Sequence, residues 1–174
     1  MTERPMHRRD RQLPQQEAWD LLTQGTCGIL SVVGDEGWPY AVPLNYTVMD
    51  GRIYLHCAKA GYKLDAIARD DRVCFTVVAR EELVRDHATA LYASVVVLGR
   101  AALVPDEATR QAALAHLVDT LSDVPPDLRD QYIQRRGKNT AVLCIQPLHI
   151  TGKAKADFRP IGERIGLPPA DNTP

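Results

Sequence analysis

The sequence predicts a mainly β protein, a small antiparallel β-barrel decorated by helices. Three observations carry that expectation. About six segments have strand composition, with alternating or continuous apolar patterns. Two of them flank Asp50-Gly51, a strong signal for a two-residue hairpin. The helical stripes fall between strands irregularly, without the βαβ alternation that a doubly wound sheet requires.

The elements follow in order. Pro14 and "QQEAWDLLTQG" read as a short helix with Ala18, Trp19 and Leu22 inward and Gly25 as its stop. "CGILSVVG" is a near-continuous apolar strand and "GDEGWP" is turn chemistry. "YAVPLNYTVMD" alternates, with Tyr40, Val42, Leu44, Tyr46 and Val48 on one face and Asn45 and Thr47 on the other. Past the hairpin, "RIYLHCA" returns antiparallel to it, and from Gly61 the pattern turns helical with Leu64, Ile67 and Ala68 on one side. "RVCFTVVA" is the next strand, "REELVRDHATA" a charged connection and "LYASVVVLGRAALV" a long strand. A helix from Asp106 to about Leu121 carries the stripe Leu114, Leu117, Val118 and Leu121, and Pro125 and Pro126 break it. A shorter helix, "DLRDQYIQRR", leads into the strand "TAVLCIQPLHITG". Residues 1–153 read as one domain and 154–174 as a polar, proline-rich tail, expected as loop or disorder.

Composition narrows the function. The chain has 174 residues, 45% hydrophobic and 25% charged, which suits one well-buried core. Its formal charge is −1, so no global basic field exists to hold a nucleic-acid backbone. No apolar run approaches the roughly 20 residues that cross a bilayer, and the basic start lacks the apolar core of a secretory signal. A cytoplasmic protein without nucleic-acid or membrane partners is expected. Cys27, Cys57, Cys74 and Cys144 stand singly, without zinc-type spacing, and His56 and Cys57 point to opposite faces of a strand; no metal site is expected.

The stretch "LHCAKAGYKLDA", residues 55–66, is where a strand enters a helix. Lys59 and Lys63 offer charge, Gly61 lets the backbone come close to a ligand, and the first helical N–H groups favour an anion. His56 adds a ring donor. The same residues also fit solvated lysines beside a structural, hydrogen-bonded histidine, and the residues alone do not choose between these readings. Trp38 and Tyr40 read as packing residues, and Arg8, Arg9 and Arg11 as a solvated arm.

The segments "MHRRDRQL", "GWPYAVPLNY", "DGRIYLHCAKAGYKLDAI", "ASVVVLGRAAL" and "ITGK" occur in order from Met6 to Lys153. Together they resemble the pyridoxamine 5′-phosphate oxidase-like split-barrel flavoproteins, and within them the Nim-type 5-nitroimidazole-resistance proteins. The resemblance implies a six-stranded antiparallel split β-barrel, a homodimer, and FMN held at the dimer interface. It assigns the FMN phosphate to His56, Cys57, Ala58 and Lys63, and the flavin ring to the strand carrying Pro43, Leu44 and Asn45, with Ser94 as a second cofactor-proximal position. Two residues depart from the family pattern: Cys57 stands where serine is common, and Ala93 where an arginine precedes the serine aligned with Ser94. A thiol is a poorer donor than a hydroxyl.

The implied activity is an FMN-dependent oxidoreductase passing electrons from a donor such as NAD(P)H to a small acceptor, a nitro-aromatic such as a nitroimidazole. No GxGxxG is present, so NAD(P)H would dock on the flavin face. His56 is the one candidate catalytic residue. The alternatives are a flavin-binding module without turnover, and a barrel that binds haem or a deazaflavin instead.

Overall fold

The computed structural model describes residues 4–85 and 89–155. Six antiparallel strands form a closed sheet among these residues: β1 (Cys27–Val33), β2 (Pro39–Met49), β3 (Arg52–Ala58), β4 (Arg72–Val84), β5 (Thr89–Leu103) and β6 (Thr140–Lys155). Their order around the barrel is β1-β2-β3-β6-β5-β4. The β2–β3 connection is the expected tight hairpin, with Asp50 and Gly51 both left-handed at φ 51° and 69°. Strand alternation sorts the side chains. Leu30, Tyr46, Ile53, Leu55, Phe75, Val95, Val97, Leu143 and Ile145 fill the interior and are fully buried.

Two helices close opposite ends of this core. Helix α1 (Gln15–Gln24) inserts Leu22, and the Tyr46 hydroxyl, buried beneath it, donates to the Leu22 carbonyl at 2.6 Å. Burial pushes the Tyr46 phenol far above its usual range. Gly25 does follow this helix, but in extended conformation (φ −77°, ψ 155°), so it is not the left-handed stop that the sequence suggested. Its lack of a side chain serves packing: a Cβ there would lie 2.3 Å from the Tyr46 hydroxyl. Helix α2 (Tyr62–Arg69) contributes Leu64, Ala66 and Ile67 to the same core. Ala68, expected inside, is exposed and Ala66 is buried instead, because α2 packs between β1 and β5 and so buries a different arc.

Helices α3 (Glu107–Leu121) and α4 (Pro126–Arg136) lie outside the barrel. Asp106 caps α3 by accepting from the Thr109 N–H at 2.7 Å, and Pro126 opens α4 where a missing N–H costs nothing. Ala113, Leu114, Leu117 and Ile133 pack on the outward Tyr54 and Val142, making a second core over β3 and β6.

Two expectations need correction. "REELV" is not connection but the end of β4: beyond a bulge between Val78 and Arg80, β4 stays paired with β5 as far as Val84 and Thr89. Charge does not prevent this, because backbone groups make the ladder while Arg80 and Glu82 share one face of the strand. The barrel also runs past 153, since β6 ends at Lys155; the rest of the expected tail lies outside the described residues.

Candidate functional site

The β2–β3 ladder is short. Only four pairs, from Met49↔Arg52 to Tyr46↔Leu55, join the strands. Beyond them β2 continues on β1 as far as Pro39, while β3 continues on β6 as far as Ala58. The sheet therefore splits between residues 39–45 and 56–58. Continuing the register one step would set Asn45 across from His56, and three steps would set Pro43 across from Ala58. All four lie on the outer face and are exposed.

Leu44 and Cys57 face inward at the same level, so they can meet a ligand in the split only through backbone groups. Burial pushes the Cys57 thiol up, and the nearby Lys63 ammonium acts in the opposite direction. The split ends at α2. Gly61 precedes this helix with φ 135°, a conformation that favours glycine, and no side chain caps the helix start. Tyr62 and Tyr40 meet edge to face at 4.7 Å, closing that end. Lys63 in the first turn, the uncapped helix N-terminus and the split strand edges form a donor set that fits a phosphate followed by a flat ring. The hydrogen bond from Arg110 chiefly holds the Glu107 carboxyl down at about 2, and the charge of Lys59, the residue after Ala58, adds to it.

Six of the eight residues assigned by the sequence, Pro43, Leu44, Asn45, His56, Cys57 and Ala58, sit on the two strand edges that part, and Lys63 lies in the helix beyond them, near Cys57. Asn45 already spends one amide N–H on the Thr26 carbonyl at 3.0 Å. Ser94 does not join them. It lies on the outer face of β5 across from Lys153, whereas His56 faces Val142. Eleven residues along β6 separate these two register positions. Ala93 faces the interior at 1% exposure, so a charged side chain at that position would enter the core.

Two features were missed in the sequence. Arg11 is no free arm: its guanidinium donates to the Tyr92 hydroxyl at 3.2 Å, two residues from Ser94, and Lys153 lies 5.6 Å above the Tyr92 ring. The contact joins residues 81 apart, which no local pattern could signal. The other is a cavity of about 510 Å³ beside His56, walled by α3, α4 and the start of β6. Among the described residues no three metal-binding side chains cluster, and no helix is long and apolar enough to cross a membrane.

The chain matches the family model described as pyridoxamine 5′-phosphate oxidase over residues 14–154. Comparison with curated protein sequences gives no significant match. Solved structures with the same fold include a protein from Bacteroides thetaiotaomicron described as belonging to 5-nitroimidazole antibiotic resistance. It is 21% identical with a TM-score of 0.67, over 82% of this chain and 86% of that one. A FAD-binding protein from Mesorhizobium loti is 22% identical with a TM-score of 0.63, over 84% and 98% of the two chains. The flavocytochrome Anf3 from Azotobacter vinelandii is 21% identical with a TM-score of 0.71, over 88% and 73%.

Proposed function

Because the chain belongs to the pyridoxamine 5′-phosphate oxidase family, we propose that it is a cytoplasmic FMN-dependent oxidoreductase, a homodimer reducing a small acceptor of the nitroimidazole kind. The observation that carries this reading is the split between β2 and β3, with an uncapped helix and Lys63 at its end. Flavin-binding proteins are among the solved structures that share the fold.

In this reading Lys63 and the first N–H groups of α2 hold the phosphate, and the lips of the split at Pro43 and Asn45 orient the ring. FMN, when bound, supplies two-electron transfer that no side chain of this chain can provide. His56, exposed at the rim, donates to the phosphate; its Gln variant, which keeps a donor, tests whether it also delivers a proton. Ser94 reaches a flavin only from the second copy, which is why the proposed site needs a dimer.

The absorption spectrum of the purified protein is the first test: a two-band yellow flavin spectrum supports the reading, and a Soret band or a featureless spectrum after FMN titration defeats it. Lys63→Ala should then weaken FMN by about 10- to 100-fold, as for loss of a charged hydrogen bond, and Lys59→Ala by no more than about 5-fold, as for a rim charge. Equal losses would mean that diffuse charge, and not this turn, holds the phosphate. At saturating FMN, His56→Gln should leave nitro-aromatic reduction unchanged; lost turnover with FMN retained would make His56 catalytic.

A further inference from the structure

His56 stands between two spaces. The split opens on its β2 side, and the residue also lines the cavity walled by α3, α4 and the start of β6. Leu114, Leu117, Val118, Leu121 and Ile133 make the cavity wall apolar. Its volume of about 510 Å³ is in the range of small-molecule sites. Arg135 and Arg136, in the last turn of α4, also line it, and no Asp or Glu does.

The pairing of the arginines separates these two from their neighbours. Arg110 pairs with Glu107 at 2.7 Å and donates to the Gly137 and Thr140 carbonyls, which ties α3 to the turn between α4 and β6. Arg129 pairs with Asp119 at 2.7 Å. Among the described residues, neither Arg135 nor Arg136 forms an ion pair, and both, exposed at the end of α4, line the mouth of the apolar cavity. A guanidinium beside apolar surface matches a ligand that is hydrophobic at one end and anionic at the other.

We propose that this cavity binds an apolar molecule bearing a single anionic group, its body against Leu114, Leu117 and Ile133 and its anion on Arg135 and Arg136. With His56 common to both spaces, the ligand sits beside the split, and a nitro group on its body is what a flavin held there, once reduced by NAD(P)H, would reduce to nitroso and water. That last step rests on the function proposed above, whereas the binding does not.

The test uses 2-naphthoate and its neutral counterpart 2-naphthalenemethanol, titrated calorimetrically into the full chain with and without saturating FMN. Naphthoate should bind at least about tenfold more tightly than the alcohol. The double variant Arg135→Gln/Arg136→Gln should lose that preference and keep its affinity for the alcohol. Equal binding of the two probes by the wild type, or an unchanged preference in the double variant, overturns the proposal. Val118→Trp, which fills the cavity from a half-buried position, should weaken both probes about tenfold, and undiminished binding would place the site elsewhere. Competition between FMN and naphthoate would make the cavity part of the flavin site and defeat it as a separate one. If the chain takes up no flavin, the proposed function fails, while the probe titrations still decide the cavity.

Discussion

The outside of the barrel divides into two halves built from the same kind of strand. Over β3 and β6, helices α3 and α4 leave Tyr54 at 4% and Val142 at 1% exposure. On the outer faces of β1 and β4, Ile29 and Val78 stand 41% and 60% exposed among the described residues. Pro43 is across from Ile29 and Ser94 across from Val78, so the bare half extends to both the lip of the split and the isolated eighth residue. The difference teaches that alternation in a barrel strand does not assign a polar face to water. Both outer faces carry large apolar side chains, and among the described residues the chain covers only one of them; the homodimer proposed above would cover the other.

The comparison is sharpest where stability is concerned. Leu117→Ala beneath the covered half should cost about 2–5 kcal/mol in denaturant unfolding, the range for a truncated core leucine. On the bare half, Val78→Asp should change the stability of the isolated subunit by less than about 0.5 kcal/mol and yet shift the sedimenting species from dimer to monomer. It should also lower flavin retention, through the neighbouring Ser94. A Val78→Asp chain that remains dimeric would show that the bare half is not the contact surface.

A smaller effect belongs to the polar joint in the covered half. Thr47, 2% exposed, meets His116 Nδ1 at 2.6 Å and Thr120 Oγ1 at 3.1 Å, while Thr120 donates to the His116 carbonyl. With the Thr120 proton spent, Thr47 satisfies both contacts only by donating to Thr120 and accepting from His116. His116 therefore carries a proton on Nδ1 whether neutral or charged. Thr47→Val should cost about 1 kcal/mol, and nitrogen NMR of the His116 ring should report the Nδ1–H tautomer at high pH.

The smallest effect has opposite signs in the two halves. Burial raises the Tyr54 phenol under α3 and α4, with Cys144 contributing. The Arg11 hydrogen bond lowers the Tyr92 phenol on the uncovered side, and Lys153 adds to it. Tyr54 holds its proton more tightly folded than unfolded, so its contribution is intact below about pH 10 and is lost as the pH rises further. Tyr92 gives up its proton more readily when folded, so its contribution is present above about pH 10 and is lost as the pH falls through its folded value. Tyr54→Phe should soften the alkaline decline in stability and Tyr92→Phe should steepen it. Changes of the same sign would contradict the assignment.

Much of this was legible in sequence because it is local. Asp50-Gly51 defined a hairpin, alternation from Tyr40 to Val48 gave the inward face of β2, and the stripe at Leu114 and Leu117 gave α3. Seven of the assigned residues sit on two adjacent strands and the helix that follows, so motif order was enough to place them along the split. Ser94 is different: a motif assigns a residue to a site, but the register places Ser94 on β5, away from the split. The cavity was invisible because His56 and Arg135 are brought together by the return of β6, and Arg135 in a last helical turn reads equally well as dipole compensation. "REELV" misled because composition describes side chains, while a ladder is made by backbone.

The short seam between β2 and β3 has a consequence for motion. Closure of the ring there depends on four residue pairs beside a two-residue turn, whereas β5 and β6 are joined along most of their length. Opening free energies follow the local density of ladder and packing, so amide hydrogens at the β2–β3 seam should exchange with solvent well before those of β5 and β6. The β1–β4 seam is also only four pairs long, so the barrel should breathe at these two seams before the others, and of the two it is β2–β3 that leads to the space between Asn45 and His56.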